Sequence, residues 1–188
     1  MFEASPSIHA KPPPETAAAS RIALQFLESV TLRAGAQADL SALETLECHA
    51  FAHDRISRRS FARFLHSPSA SLIVADCDGG LCGYALVLFR AQSRLARLYS
   101  IAVDPQFAGR QLGSTLLRAA EMAASRRGST GMRLEVRESN AAASNLYRKS
   151  GYRPLARLPA YYADKSDALR LEKQLNGTPA LAGSAAPR

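Results

Sequence analysis

Ile101-Ala102-Val103-Asp104-Pro105-Gln106-Phe107-Ala108-Gly109-Arg110-Gln111-Leu112-Gly113-Ser114 is the stretch on which the reading of this chain turns. It opens as the end of a strand: apolar residues run from Leu95 to Val103, and Asp104-Pro105 breaks the run. Leu112, Leu116, Ala119 and Ala123 then recur at spacings of 4, 3 and 4, which predicts a helix from about Gly109 to Arg127. Gly128 closes it, with Arg126 and Arg127 in the last turn, where the helix dipole favours cations. Such a helix start aims unpaired backbone N–H groups outward with the positive dipole end behind them. That arrangement suits a phosphate or pyrophosphate. The glycines have a plainer reading too, as a turn before a helix, and no Gly-Lys-Ser/Thr follows as in a Walker loop.

Downstream, Met132 to Arg137 reads as a strand, Asn140 to Ser150 as a helix stopped by Gly151, and Tyr152–Leu158 and Asp167–Lys173 as two closing strands. Upstream, Leu72–Ala75 and Tyr84–Phe89 are strand-like, with Asp78-Gly79-Gly80 as the hairpin signal between them. A helix with Phe61, Phe64 and Leu65 on one face is expected from Ser57, stopped by Pro68. Another follows Ser41-x-x-Glu44, a capping-box pattern, with Leu43, Leu46 and Ala50 at helical spacing. Thr31-Leu32-Arg33 is a short strand candidate. The sum is a mixed α/β domain on a central sheet.

Three side chains stand out. Glu135 sits mid-strand with Arg133 and Arg137 on its own face, opposite Met132, Leu134 and Val136. It is either a surface carboxylate paired with those arginines or a general base lining a cleft, where burial raises its pKa. Asn140 is a good N-cap. Tyr147, seven residues on, shares a face with Ala143 and Leu146 and reads on its own as a core tyrosine.

The chain has 188 residues, 24 basic and 16 acidic side chains, and a formal charge of +8. Residues 21–175 form one domain; 1–20, with Pro12-Pro13-Pro14 and an alanine run, and 176–188, without periodicity, read as disordered tails. The positive charge sits in the domain as scattered arginines, densest at Arg55, Arg58, Arg59 and Arg63. No aromatic stacking run or recognition helix accompanies it, so direct nucleic-acid binding ranks last. Cys48, Cys77 and Cys82 are odd in number and form no Cys-x-x-Cys, which argues for free thiols in a reducing, cytoplasmic setting and against a zinc site. No apolar run reaches membrane-spanning length, and Met1–Ser20 lacks the pattern of a signal peptide.

Taken jointly, Ile101–Pro105, the Gly109–Ser114 loop, Leu134-Glu135-Val136-Arg137, Asn140-Ala141-Ala142, Asn145-Leu146-Tyr147-x-x-x-Gly151-Tyr152 and Tyr161-Tyr162-Ala163-Asp164 before Asp167-Ala168 resemble the GNAT N-acetyltransferases. Within that family they look like the RimI-type N-terminal protein acetyltransferases. The resemblance implies a GNAT fold, a mostly antiparallel mixed sheet splayed at the cofactor site with helices on both faces. It implies acetyl-CoA as co-substrate, no metal, and direct acetyl transfer to a primary amine, the α-amine of a protein in the RimI type. Ile101, Ala102 and Val103 would hold the pantetheine arm and offer a backbone N–H to the oxyanion. Gly109, Arg110, Gln111, Leu112, Gly113 and Ser114 would hold the pyrophosphate, with Asn140 reaching the cofactor from the next helix. Glu135 would be the base, Tyr147 the acid, and Tyr161 and Tyr162 would shape the acceptor mouth. The family loop usually reads Gln/Arg-x-x-Gly-x-Gly/Ala; here Ala108 replaces the polar residue and Gln111 the first glycine, so a Cβ at 111 would crowd the phosphates wherever the site needs close approach or positive φ. Two other readings keep the cofactor: acetylation of a small amine (polyamine, amino sugar, aminoglycoside, amino acid), or a non-catalytic acyl-CoA sensor. The basic charge extends the partner reading to CoA phosphates and to an acidic or ribosome-associated acceptor.

Overall fold

The computed structural model describes residues 29–77 and 80–175. The proposed tails at 1–20 and 176–188, the start of the domain at 21 and the turn residues Asp78 and Gly79 lie outside the described residues. Seven strands form one sheet: β1 (Val30–Ala34), β2 (Ala70–Cys77), β3 (Gly80–Leu88), β4 (Leu95–Val103), β5 (Gly131–Arg137), β6 (Arg153–Leu158) and β7 (Ala168–Gln174), in the order β1-β2-β3-β4-β5-β7-β6. Only β4 and β5 run parallel. The α-helices lying wholly within the described residues are α1 (Leu40–Ala50), α2 (Arg58–Leu65), α3 (Leu112–Arg126) and α4 (Ala141–Lys149).

The core has two layers, one on each side of the sheet. On one face the apolar stripe of α3, with Leu112, Leu116 and Ala120 fully buried, packs on Ala85, Val87, Ala96 and Leu98; Met132, Leu134, Val136 and Tyr147 continue that layer. On the other face Leu43, Leu46 and Phe61 of α1 and α2 cover Leu72, Val74, Tyr84, Leu86 and Ala102. The rings of Phe61 and Tyr84 meet edge to face at 5.3 Å. α3 can lie this close because β3 carries Gly83. A Cβ there would stand 2.8 Å from Leu116 Cδ1 and 3.0 Å from the Ala102 carbonyl oxygen.

The sheet divides between β4 and β5. Their pairing covers only Leu95–Arg97 against Gly131–Arg133. Beyond it β4 stays with β3 as far as Val103, and β5 stays with β7 as far as Arg137. The β4 edge facing β5 is therefore left without a ladder from Leu98 onward. A register shift adds to this: Leu86 of β3 opposes Ser100 and Val87 opposes Leu98, so Tyr99 is an extra, bulged residue. The bulge exchanges the faces of β4. Leu98 lies in the α3 layer, but Ala102 lies in the α1/α2 layer.

Several sequence expectations shift. The Ser41/Glu44 capping box is not formed. α1 follows a 3-10 turn, Gln37–Asp39, and the Asp39 carboxylate accepts the Ala36 N–H (2.7 Å) and two N–H groups of Arg33 (both 2.7 Å). Ser41 Oγ instead accepts from Arg58 of α2 (2.9 Å), which also approaches Glu44 (3.8 Å). The helix expected from Ser57 is present as α2, and Ser57 caps it, Oγ accepting the Ser60 N–H (3.2 Å). The expectation of three free thiols is corrected: Cys77 and Cys82 form a disulfide, Cα atoms 5.8 Å apart, and Cys48 is free and exposed. Irregular pairing after Ala75 turns residues 77 and 82 to the same face of the hairpin, which sequence spacing does not reveal. Among the described residues, no helix is long and apolar enough to cross a membrane.

Candidate active site

One wall of the opening between β4 and β5 is made of backbone. The Asp104 N–H donates to the Cys82 carbonyl (2.9 Å), and the Asp104 carboxylate accepts the Gln106 N–H (3.0 Å), which sets a 3-10 turn at Pro105–Phe107. Gly109 follows at φ +77, with open space where a Cβ would stand, so conformation alone asks for glycine. Gln111, at φ +62, is the N-cap of α3 in the left-handed region. The helix thus begins at Leu112, three residues later than its spacing suggested. The N–H groups of Gln111, Leu112, Gly113 and Ser114 find no acceptor among the described residues; the first backbone bond of the helix runs from Thr115 to the Gln111 carbonyl (3.1 Å). Residues 105–114 contain no acidic side chain.

The other wall is made of paired charges. Glu135 is held on both oxygens: Oε2 accepts from Arg97 Nε (2.9 Å), with Arg97 Nη2 2.8 Å away in the ion pair, and Oε1 accepts from Arg170 Nε (2.8 Å). Its side chain is 6% exposed. The arginines expected beside it in sequence are otherwise engaged. Arg133 pairs with Glu172 (2.8 Å), and Arg137 donates to Asp54 and to Asp164 (both 2.7 Å). Antiparallel register explains the exchange: Arg170 stands directly opposite Glu135 on β7. Arg137 also lies over the Tyr162 ring (4.1 Å), so one guanidinium ties the α1–α2 connection to the β6–β7 loop. In that loop the Tyr161 hydroxyl accepts from Arg97 Nη2 (2.7 Å). The Asp164 carboxyl is lowered to about 2, first by its hydrogen bonds with Ser166 and then by Arg137.

α4 closes the end of the opening. Asn140 caps it, Oδ1 accepting the Ala143 N–H (3.0 Å). Tyr147 is 5% exposed and its ring meets that of Tyr152 at 5.7 Å. Its hydroxyl bonds no described residue, and burial, with Tyr162 nearby, pushes the phenol above its ordinary value.

These parts enclose a cleft of about 500 Å³. Of the residues singled out in the sequence, Ile101, Val103, Gly113, Glu135, Asn140, Tyr147, Tyr161 and Tyr162 line it together. Two are turned away, each for a physical reason. Ala102 faces the α1/α2 layer because of the bulge, and Leu112 is the first core residue of α3. Gly109, Arg110, Gln111 and Ser114 stand at the head of α3, outside the cleft lining. Sequence reasoning missed Arg97 and Arg170. Arg97 was nonetheless visible as the only charge within Leu95–Val103. It also missed a buried chain beneath the bulge: Glu47 accepts the Ile56 N–H (3.2 Å) and the Tyr84 hydroxyl, and Tyr84 meets Ser100 Oγ (2.7 Å), on the cleft wall. Burial pushes the Glu47 carboxyl up.

The model of the acetyltransferase (GNAT) family matches residues 39–152. N-alpha-acetyltransferase RimI of Mycobacterium tuberculosis is 36% identical over 143 residues, 72% of this chain and 85% of that protein. The crystal structure of the ribosomal-protein-S18-alanine N-acetyltransferase from Escherichia coli superposes with a TM-score of 0.70 at 27% identity, covering 85% of this chain and 99% of that one. The fold is also that of yncA from Salmonella typhimurium, solved with its cofactor acetyl-CoA (TM-score 0.69, 23% identity, 85% and 98% covered).

Proposed function

Because this chain belongs to the acetyltransferase (GNAT) family, we propose that it moves the acetyl group of acetyl-CoA to the N-terminal α-amine of a protein, with Glu135 as base and Tyr147 as acid. Acetyl-CoA supplies an activated acyl group. The observation that carries the reading is that Glu135 and Tyr147, twelve residues apart on β5 and α4, open on the same cleft where the sheet divides.

The residues present suit a polyanionic thioester. The free N–H groups at the head of α3, with no carboxylate in residues 105–114, are arranged to bind pyrophosphate. The unladdered β4 edge at Ile101–Val103 offers backbone groups to an extended pantetheine arm and an N–H to the thioester oxygen. Asn140 keeps its amide N–H donors after capping α4 with its carbonyl oxygen. Gln111 takes the left-handed conformation that glycine would take, so the helix head keeps its donors at the expense of backbone strain.

Glu135 retains lone pairs after binding its two arginines and can accept a proton directly or through one water. Arg97 and Arg170 together outweigh its single charge, so an arriving ammonium is disfavoured and a neutral amine is not. An α-amine, with a pKa near 8, is far more often neutral than a lysine amine near 10.4. The same field disfavours polycations such as polyamines and aminoglycosides. Tyr147 stays protonated in its buried setting and donates to the departing sulfur. Tyr161 and Tyr162 bound the acceptor mouth. The likeness to a ribosomal-protein N-acetyltransferase supports a ribosome-associated acceptor in the cytoplasm.

The test is an acetyl-CoA turnover screen of peptides differing at their first two residues, beside N-blocked lysine peptides, polyamines and aminoglycosides. Turnover confined to free α-amines supports the reading. Faster turnover of any polycation sinks it, and binding of acetyl-CoA without turnover of any amine makes the chain a sensor.

A further inference from the structure

A second cavity, of about 450 Å³, opens beside the first. Both are lined by Arg97, Glu135 and Tyr161, so the two communicate beside the proposed base. It lies against the sheet face of β5 and β7 that carries Arg133, Glu135, Arg170 and Glu172; among the described residues no helix packs on that face, and α3 and α4 cover the opposite one. Its charged lining is Arg90, Arg97, Arg133, Arg170 and Glu135. Arg97 and Arg170 share the carboxylate of Glu135, and Arg133 has that of Glu172 (2.8 Å). Arg90 is exposed and has no ion-pair partner among the described residues. Four guanidinium groups thus face two carboxylates, both already engaged, between apolar walls at Leu88 and Leu95.

We propose that this cavity binds a carboxylate of the acceptor, so that the enzyme prefers an acidic peptide with Asp or Glu at its second or third residue. The inference rests on the proposed α-amine acetylation. With the reacting amine at Glu135, an extended chain advancing about 3.3 Å per residue brings its next side chains within reach of the connecting cavity. A guanidinium fork takes a carboxylate through two parallel hydrogen bonds, and apolar walls reduce competition from water. Arg90 is the specificity residue: it is uncommitted and stands away from the reacting groups, whereas Arg97 and Arg170 also hold Glu135.

The experiment uses the full chain with CoA or acetyl-CoA and peptides that begin Ala-Asp, Ala-Glu, Ala-Ala or Ala-Lys and are otherwise identical. Both kcat/KM and calorimetric affinity are measured for the wild type and for Arg90→Glu. At low salt the acidic peptides are expected to exceed the Ala-Lys peptide by about tenfold in both readouts, the scale of one charge-assisted hydrogen bond. Arg90→Glu is expected to bring that ratio close to one in both readouts. Equal values across the peptides, or a ratio indifferent to Arg90→Glu, overturn the proposal. So does a cavity that takes up single-stranded RNA oligonucleotides through Arg90 in place of acidic peptides. If acidic peptides bind selectively through Arg90 but no peptide is acetylated, the acetyl-transfer reading fails and the cavity assignment stands.

Discussion

From Tyr99 to Ser114 the chain beside the cleft contributes backbone: a bulged strand edge, a 3-10 turn, two residues at positive φ and, at the head of α3, its first N–H groups. Across the opening, from Arg97 through Glu135 to Arg170, it is bounded by side chains in mutual ion pairs. The first wall depends on where the chain goes and is nearly indifferent to side-chain identity, apart from glycine. The second depends on which charges face one another and sits on a regular ladder that would form with other residues. The proposed function assigns the nucleotide cofactor to the first and the amine to the second. Substitutions should therefore fail differently on the two sides.

The largest effect is expected on the charged wall. Glu135→Gln should lower kcat by about 100-fold, the usual contribution of a general base, with the melting transition still cooperative. A loss of only a few-fold would reduce this wall to a structural ladder. On the backbone wall the largest effect is on folding. Gly83→Ala puts a Cβ 2.8 Å from Leu116 Cδ1 beneath α3 and should cost about 2 kcal/mol in denaturant unfolding. An unchanged midpoint would mean that α3 can withdraw freely and that its head is not held by β3.

Tyr147→Phe should follow, with kcat down about tenfold and acetyl-CoA affinity unchanged. Burial holds this phenol above its ordinary value, so its proton is retained as pH rises. The wild-type kcat profile should accordingly show no Tyr147-dependent decline below about pH 10, the unperturbed tyrosine value. An alkaline limb near pH 8 that vanishes in Tyr147→Phe would contradict this. The smallest effect separates backbone from side chain most cleanly. Gln111→Gly relieves about 1 kcal/mol of left-handed strain, and the freer unfolded chain cancels about half of it. Stability should rise slightly, and the KM for acetyl-CoA should stay level or fall. A weakened KM would mean that the Gln111 side chain itself takes part.

The same contrast explains what could be read in the sequence. β5 is regular, so alternation correctly put Met132, Leu134 and Val136 inside and Glu135 on the opposite face. β4 matches its expected bounds, yet its faces exchange at Tyr99, and the bulge that does this leaves no mark on a pattern of apolar residues. Ala102, expected in the site through its strand backbone, therefore turns its side chain into the core. The partners of Glu135 could not be foreseen from its own strand, because Arg97 and Arg170 arrive through sheet order and register. The joint spacing of Glu135, Asn140 and Tyr147 was legible because each lies on a regular element or caps one. The disulfide and the cap of α1 depended on local irregularity and were not.

The central claim is that the divided sheet delivers an acetyl group to an α-amine held at Glu135. It is tested most directly by incubating the full chain with acetyl-CoA and a peptide bearing both a free N-terminus and an internal lysine, then locating the acetyl group by fragment mass spectrometry. The account predicts acetyl on the α-amine alone, with the yield falling about 100-fold in Glu135→Gln. Acetyl on the lysine, or an undiminished yield from Glu135→Gln, would contradict it.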